Sequence, residues 1–333
     1  MFKIRLLVTA LAFASSTSIV LAQALPTKAP APANNPTTAQ KVTLGQILFH
    51  DPRMSSSGTV SCASCHNTML GGEDNRGGSV GVGGQVGGRS APTVWNAAFN
   101  EVQFWDGRAA SLEDQAAGPV TNPIEMGMKN WDDVVTRLKS IEGYQALFEK
   151  AFGKDSISKD NATKAIAAYE RTLITPNSPF DKYVKGNKSA MTGQQIRGMN
   201  LAIESGCTGC HSGPAFNGPG TFQKFPVISN GSIVAQFKLK KDKGLAEVTG
   251  KEEDEFFWKV PTLRNVALTA PYFHNGKVKT LDRAVKIMAK MQLGKTLTDA
   301  ETADIVAFLN ALTGEFPKQS MPSLPGTPGT TFN

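Results

Sequence analysis

Two copies of one pentad, Cys62-Ala63-Ser64-Cys65-His66 and Cys207-Thr208-Gly209-Cys210-His211, constrain this chain more than any other feature. Together they use all four cysteines and two of the four histidines. Cys-x-x-Cys-His is the attachment pattern of c-type haem. Two thiols one helical turn apart can each form a thioether with a haem vinyl group, and the histidine that follows then lies under the iron as its proximal ligand. A redox dithiol needs no adjacent histidine, and zinc knuckles usually hold their ligand pairs closer in sequence than His66 is to His211. Two covalent haems c are therefore expected, with no cysteine left for a disulfide.

The compartment agrees. Met1 to Ala22 reads as a secretory signal peptide: Lys3 and Arg5 form the basic region, Leu6 to Ala14 the apolar core, and Val20-Leu21-Ala22 a small-residue cleavage site. The apolar run is too short to favour a transmembrane helix, and no later segment has a long uncharged one. The mature protein is expected in the periplasm, where c-type haem is attached, without a membrane span. Formal charge is +7; the signal peptide carries two of those positive charges, and haem propionates would offset most of the rest. The basic residues are scattered, which gives no case for nucleic acid.

Length suits two domains after removal of the signal peptide, and 40% hydrophobic residues can build two cores. Residues 23–40, rich in Pro, Ala, Asn and Thr, read as a flexible leader. A first helix is expected over Val42 to Phe49, with amphipathic helices over Trp131 to Phe152 and Asn161 to Leu173. Gly71 to Gly88 holds nine glycines in eighteen residues and cannot be a regular element. Thr175-Pro176-Asn177-Ser178-Pro179 marks the domain boundary, dividing a haem domain over 41–175 from a second over 176–316. In the second, Thr192 with Gln195 and Thr298 with Glu301 form capping boxes, and Gly314 is expected to stop the last helix. Pro317 to Asn333 is a proline-rich tail, expected on the surface or frayed. The fold class is mainly α: two cytochrome c-like domains, each holding one covalent haem c, with the haems facing the domain interface.

Several further strings resemble the bacterial dihaem cytochrome c peroxidases. They are Leu44-Gly45-x-x-Leu48-Phe49-x-Asp51-Pro52-Arg53, Gln103-Phe104-Trp105-Asp106-Gly107-Arg108-Ala109, Pro176-x-x-Pro179-Phe180-Asp181-Lys182-Tyr183 and Leu268-Thr269-Ala270-Pro271-Tyr272-Phe273-His274-x-Gly276. The resemblance implies reduction of hydrogen peroxide with electrons from a small cytochrome c or a copper protein, and it allows a homodimer. It implies that the C-terminal haem accepts the electrons on His211 and Met288. By periodicity Met288 shares a helix face with Leu281, Val285 and Met291, so Met291 is the rival ligand.

The N-terminal haem, on His66, is by the same resemblance the peroxidatic one. There Glu125 would be the general acid-base and Gln115 a hydrogen-bond donor, with Trp105 between the two haems and His274 hydrogen-bonded near a haem edge. The family's usual second ligand to this haem is a histidine in the glycine loop; Val82 stands in its place, and no histidine lies between His66 and His211. Valine cannot bind iron, so an open distal face is expected; Met69 is the nearest substitute ligand in sequence. The resemblance also implies a calcium ion held by Ser90, which replaces an asparagine, and by the carbonyl oxygens of Thr269 and Pro271. Two other functions compete: a dihaem enzyme oxidising a protein partner, or a non-enzymatic electron carrier or sensor. The related methylamine dehydrogenase maturation enzyme carries a tyrosine where Met288 stands, and no tyrosine follows Phe273 here.

Overall fold

The computed structural model describes residues 23–218, 220–228 and 231–326; the expected signal peptide and the end of the tail lie outside them. The N-terminal half contains α1 (Ala39–His50), α2 (Cys62–Cys65), α3 (Leu112–Thr121), α4 (Trp131–Ser140), α5 (Glu142–Phe152) and α6 (Lys159–Glu170). The C-terminal half contains α7 (Pro179–Val184), α8 (Gly193–Ser205), α9 (Gly231–Gln236), α10 (Ala246–Thr249), α11 (Leu281–Leu293) and α12 (Asp299–Asn310). Two short antiparallel strands, β1 (Phe222–Lys224) and β2 (Phe257–Lys259), pair Phe222 with Lys259 and Lys224 with Phe257. Mainly helical architecture follows the sequence.

The halves repeat one packing device. Gly45 in α1 lies so close to α6 that a Cβ there would sit 1.9 Å from the Ala165 carbonyl oxygen. Gly198 in α8 does the same against α12, where a Cβ would meet the Asp304 carbonyl oxygen at 1.8 Å. Each pair of helices thus crosses in backbone contact, which only glycine permits. Around the first crossing Leu44, Leu48, Phe49, Tyr144, Phe148 and Ile166 form a core. Around the second lie Phe180, Phe216, Ile305, Phe308 and Leu312. A third cluster, with Phe225, Trp258, Val278 and Met291, fills the space between β2 and α11. Full burial of each large side chain stabilises by about 1.5–3 kcal/mol.

Both expected capping boxes are present, Thr192 with Gln195 opening α8 and Thr298 with Glu301 opening α12. Other expectations need correction. Trp131 to Phe152 is two helices, because Ile141 is extended (φ −99°, ψ 102°) and buries its side chain in the core at the break. Gly314 does not stop α12, which ends at Asn310; a Cβ on Gly314 would lie 1.8 Å from the Thr175 carbonyl oxygen, so its role is close approach. The leader is not free. Leu25 is buried and donates its amide to Asp181 Oδ1 at 2.9 Å, while Asn35 is buried and donates to Glu113 and to the Lys164 carbonyl. Asp181 also pairs with Arg264 at 2.8 Å, both side chains fully buried. Single anchors of this kind outweigh a flexible composition.

The tail crosses the other way. Phe316 packs edge-on against Trp95, Gln46 donates to the Ser320 carbonyl at 2.9 Å, and Arg53 donates to the Pro325 carbonyl at 2.9 Å. Leu25, near the start of the described residues, therefore holds the C-terminal half, and Phe316, Ser320 and Pro325 hold the N-terminal half.

Candidate active site

Ser61 caps α2 with Ser64 in a reciprocal box, and that single turn carries Cys62 and Cys65 to the wall of a cavity of about 620 Å³. His66 follows at the end of the turn and lines the same cavity. Its Nδ1 lies 3.0 Å from the Pro92 carbonyl oxygen. A proton on Nδ1 donates to that carbonyl, which fixes the ring and leaves Nε2 for a metal. Burial holds the imidazole below its ordinary pKa, in the neutral form a ligand needs. Gln115 from α3 and Glu125 from the turn after it line the same cavity. Burial raises the Glu125 carboxyl, and Arg108 opposes the shift. A second acid, Glu170 at the end of α6, also lines the wall; burial pushes it up to about 8, and its Oε2 has no partner.

The C-terminal site is built alike. Gly206, at φ 94°, ends α8 and turns the chain into Cys207–Gly209. Cys207, His211 and Met288 line two adjoining spaces of about 200 and 90 Å³. His211 Nδ1 lies 3.1 Å from the Pro261 carbonyl and 3.2 Å from that of Phe216, again leaving Nε2 free. Met291, the rival, is fully buried in the core and lines neither space.

Trp105 lines the N-terminal cavity and both C-terminal spaces. Its indole N–H donates to the Ser90 carbonyl at 2.9 Å, and its own carbonyl accepts from the Lys259 amide at 2.9 Å. The indole is thus fixed between the sites by both halves. Ser90 is buried, donates its hydroxyl to the Arg76 carbonyl at 3.0 Å and its amide to the His274 carbonyl at 2.8 Å. That places it beside the segment carrying Thr269 and Pro271. His274 is 2% exposed and stacks on Trp258 with ring centres 4.1 Å apart. Its Nε2 has no hydrogen-bond partner among the described residues.

The glycine loop contains one short turn, Val82–Gly84. Val82 is buried in the N-terminal core, and its side chain does not line the cavity. Met69 is 75% exposed and lines no part of it either. Neither residue is brought to His66.

One feature escaped the sequence reading. Pro92-Thr93-Val94-Trp95-Asn96 through Ala109 recurs, in register, as Pro261-Thr262-Leu263-Arg264-Asn265 through Val278. Each copy's proline carbonyl meets the proximal histidine of its own half. Each asparagine is left-handed, at φ 64° and 60°, and opens a short turn. Each closes through a bridge, Gln103 to Ala109 and Tyr272 to Val278, which puts Trp105 and His274 at equivalent positions. The shared Pro-Thr-x-x-Asn and Phe-x-x-Gly spacing was the available signal.

The thiol pairs one turn apart, the neutral histidines and the facing cavities fit two covalent haems. A family described as di-haem cytochrome c peroxidase matches residues 39–189, and cytochrome c matches residues 192–313. The cytochrome c551 peroxidase of Nitrosomonas europaea is 44% identical, over 89% of this chain and 86% of its own length. The cytochrome c peroxidase Ccp of Escherichia coli is 48% identical over 86% of this chain, which spans 61% of that longer protein. Among solved structures, a MauG-like protein associated with microbial copper homeostasis has a TM-score of 0.75 at 27% identity, covering 91% of this chain and 96% of its own. With the two haem-attachment motifs on facing cavities, these likenesses establish that the chain belongs to the di-haem cytochrome c peroxidase family.

Proposed function

We propose that the protein reduces hydrogen peroxide to two waters, consuming two protons and two electrons that a small cytochrome c or cupredoxin delivers. In this reading the unit over 176–316 accepts electrons at the site of His211 and Met288, and the unit over 41–175 cleaves peroxide above His66. The observation that carries it is the convergence of Glu125 and Gln115 on the His66 cavity, with Val82 turned into the core instead. Bound haem would supply the electron exchange and the site where peroxide is held.

The side chains supply the rest. Glu125, raised by burial, can take the proton from one peroxide oxygen and return it to the other as the O–O bond breaks. The Gln115 amide can stabilise charge on the departing oxygen. Trp105, held at both ends, keeps the path between the sites short and rigid. The reading includes export to the periplasm and a calcium ion beside Ser90, with carbonyl oxygens of Thr269 and Pro271. Steady-state turnover with a reduced small cytochrome tests the function: two donor equivalents oxidised per peroxide are expected, and no peroxide-dependent oxidation would overturn it.

A further inference from the structure

The two cavities differ in charge as well as in size. Glu125, Glu170 and Asp106 stand on the N-terminal wall with Arg89 and Arg108. The two C-terminal spaces are lined, among the described residues, by no aspartate or glutamate and by one lysine, Lys259. Lys259 is the last residue of β2 and lines both spaces. Its ammonium has no hydrogen bond or ion pair with any described residue, and burial alone pulls it down to about 8. The side chain is half-buried, and an ammonium set in an apolar wall without a partner is costly. A wall that keeps one is shaped for an anion.

A second observation points to the same place. The orphaned Nε2 of His274 belongs to the lining of the 90 Å³ space, with Lys259, Cys207 and Cys210. That ring nitrogen can donate an N–H into the space. Trp258, on which it stacks, immediately precedes Lys259 in β2. One strand therefore positions both a cation and a histidine donor on the wall of that space.

We propose that Lys259 is the counter-cation of the C-terminal site: its ammonium, aided by His274, holds a propionate of the haem carried by Cys207 and Cys210 and raises that haem's reduction potential. Oxidised haem carries one more positive charge than reduced haem, so a fixed cation nearby disfavours the oxidised state. No aspartate or glutamate on the C-terminal wall offsets it. The effect is local, because Lys259 does not line the N-terminal cavity. This rests on the reading of the C-terminal site as the point of electron entry, where a raised potential draws electrons from the donor.

The test uses the full-length exported protein with both haems attached. Lys259→Met keeps side-chain length without charge, and Lys259→Arg keeps the charge. Spectroelectrochemical titration follows each haem by its own absorbance. The C-terminal midpoint should shift downward in Lys259→Met, stay near the parent value in Lys259→Arg, and leave the N-terminal midpoint in place. An unmoved C-terminal midpoint, or two midpoints falling together, would overturn the proposal. If Lys259→Met does not accumulate, Lys259→Gln is compared with Lys259→Arg, and equal midpoints overturn it. Peroxide turnover of the parent protein separates the two readings. An inactive parent with a shifted midpoint in the variant removes the peroxidase function alone; an active parent with an unmoved midpoint removes the role of Lys259 alone.

Discussion

Val82 donates its backbone N–H to the Glu125 carbonyl oxygen at 2.9 Å. The glycine loop is thereby fastened to the segment that carries the candidate acid-base. Gly81 tightens the joint: a Cβ there would lie 1.9 Å from the Ile124 carbonyl oxygen and 2.5 Å from that of Glu125. The loop forms part of the cavity wall, and its position 82 faces away from the space above His66.

Glu125 is therefore the first residue to test. As a proton acceptor it must begin ionised, and burial raises its pKa while Arg108 opposes the shift. Reaction with peroxide should be fast above that raised value and decline as pH falls through it. The acid limb should lie above the ordinary carboxylate range of about 4.3. Glu125→Gln should lower the second-order rate by about a hundredfold to ten-thousandfold and abolish that limb. Asp106, Glu170, Asp242 and Glu247 share the wall with Arg89 and Arg108, so a limb that survives in Glu125→Gln would assign the titration to one of those four acids.

Both cysteine pairs should carry haem. Mass spectrometry of the processed protein is expected to show a gain of two haems. Cys207→Ala with Cys210→Ala should remove one of them, and a parent gain of one or none would refute the dihaem reading.

Met288 and Met291 can be separated by spectroscopy. Met288→Leu should abolish the methionine signature of the C-terminal haem and lower its potential, because a thioether ligand favours ferrous iron. Met291→Leu, a volume-conserving change at a fully buried position, should keep the signature at a stability cost below about 1.5 kcal/mol. The opposite pattern would transfer the ligand to Met291.

The helices and their starts were legible because their chemistry is local. Thr192 with Gln195 and Thr298 with Glu301 announce their own capping boxes. The haem walls were legible because two thiols and a histidine are spaced by one turn. What stayed hidden depends on partners distant in sequence. Nothing in Gln23 to Gln40 signals that the Leu25 amide finds Asp181, and nothing near Gly314 signals the Thr175 carbonyl. Lys259 reads as one more lysine until β2 turns it into a cavity without acids. The Pro92 and Pro261 repeat was visible in principle, yet its purpose appears only when both carbonyls meet a histidine.

The glycine crossings give a stability prediction. Gly198→Ala places a methyl carbon 1.8 Å from the Asp304 carbonyl oxygen, so α8 and α12 must separate. Overpacking of this kind costs about 1–3 kcal/mol, occasionally more. The loss should be read as a lower thermal midpoint with reduced haem incorporation at Cys207 and Cys210. Alanine at Gly83, where no atom lies within 4 Å, meets no neighbour but must adopt φ 65°, so its smaller cost measures backbone strain alone. Equal midpoints for Gly198→Ala and the parent would show that the crossing is not a tight contact.

The loop itself decides whether the N-terminal haem needs activation. Position 82 offers no ligand, Met69 is exposed, and no histidine lies between His66 and His211. The haem on His66 should therefore show a high-spin ferric component in the fully oxidised protein, and peroxide should react without prior reduction of the other haem. Two wholly low-spin ferric haems would mean that another side chain takes the site. Val82→His probes the loop directly. In the observed packing the imidazole would enter an apolar core beside Gly127, where a polar ring without a hydrogen bond costs about 1–3 kcal/mol. That cost opposes the one amide bond holding the turn to Glu125, a net contribution of about 0.5–1.5 kcal/mol. The turn should release, the histidine should reach the iron, and the oxidised variant should become low-spin and depend on pre-reduction for activity. If it stays high-spin and active when fully oxidised, Gly81 and its contacts pin the loop more firmly than the core rejects the imidazole, and position 82 does not reach the haem.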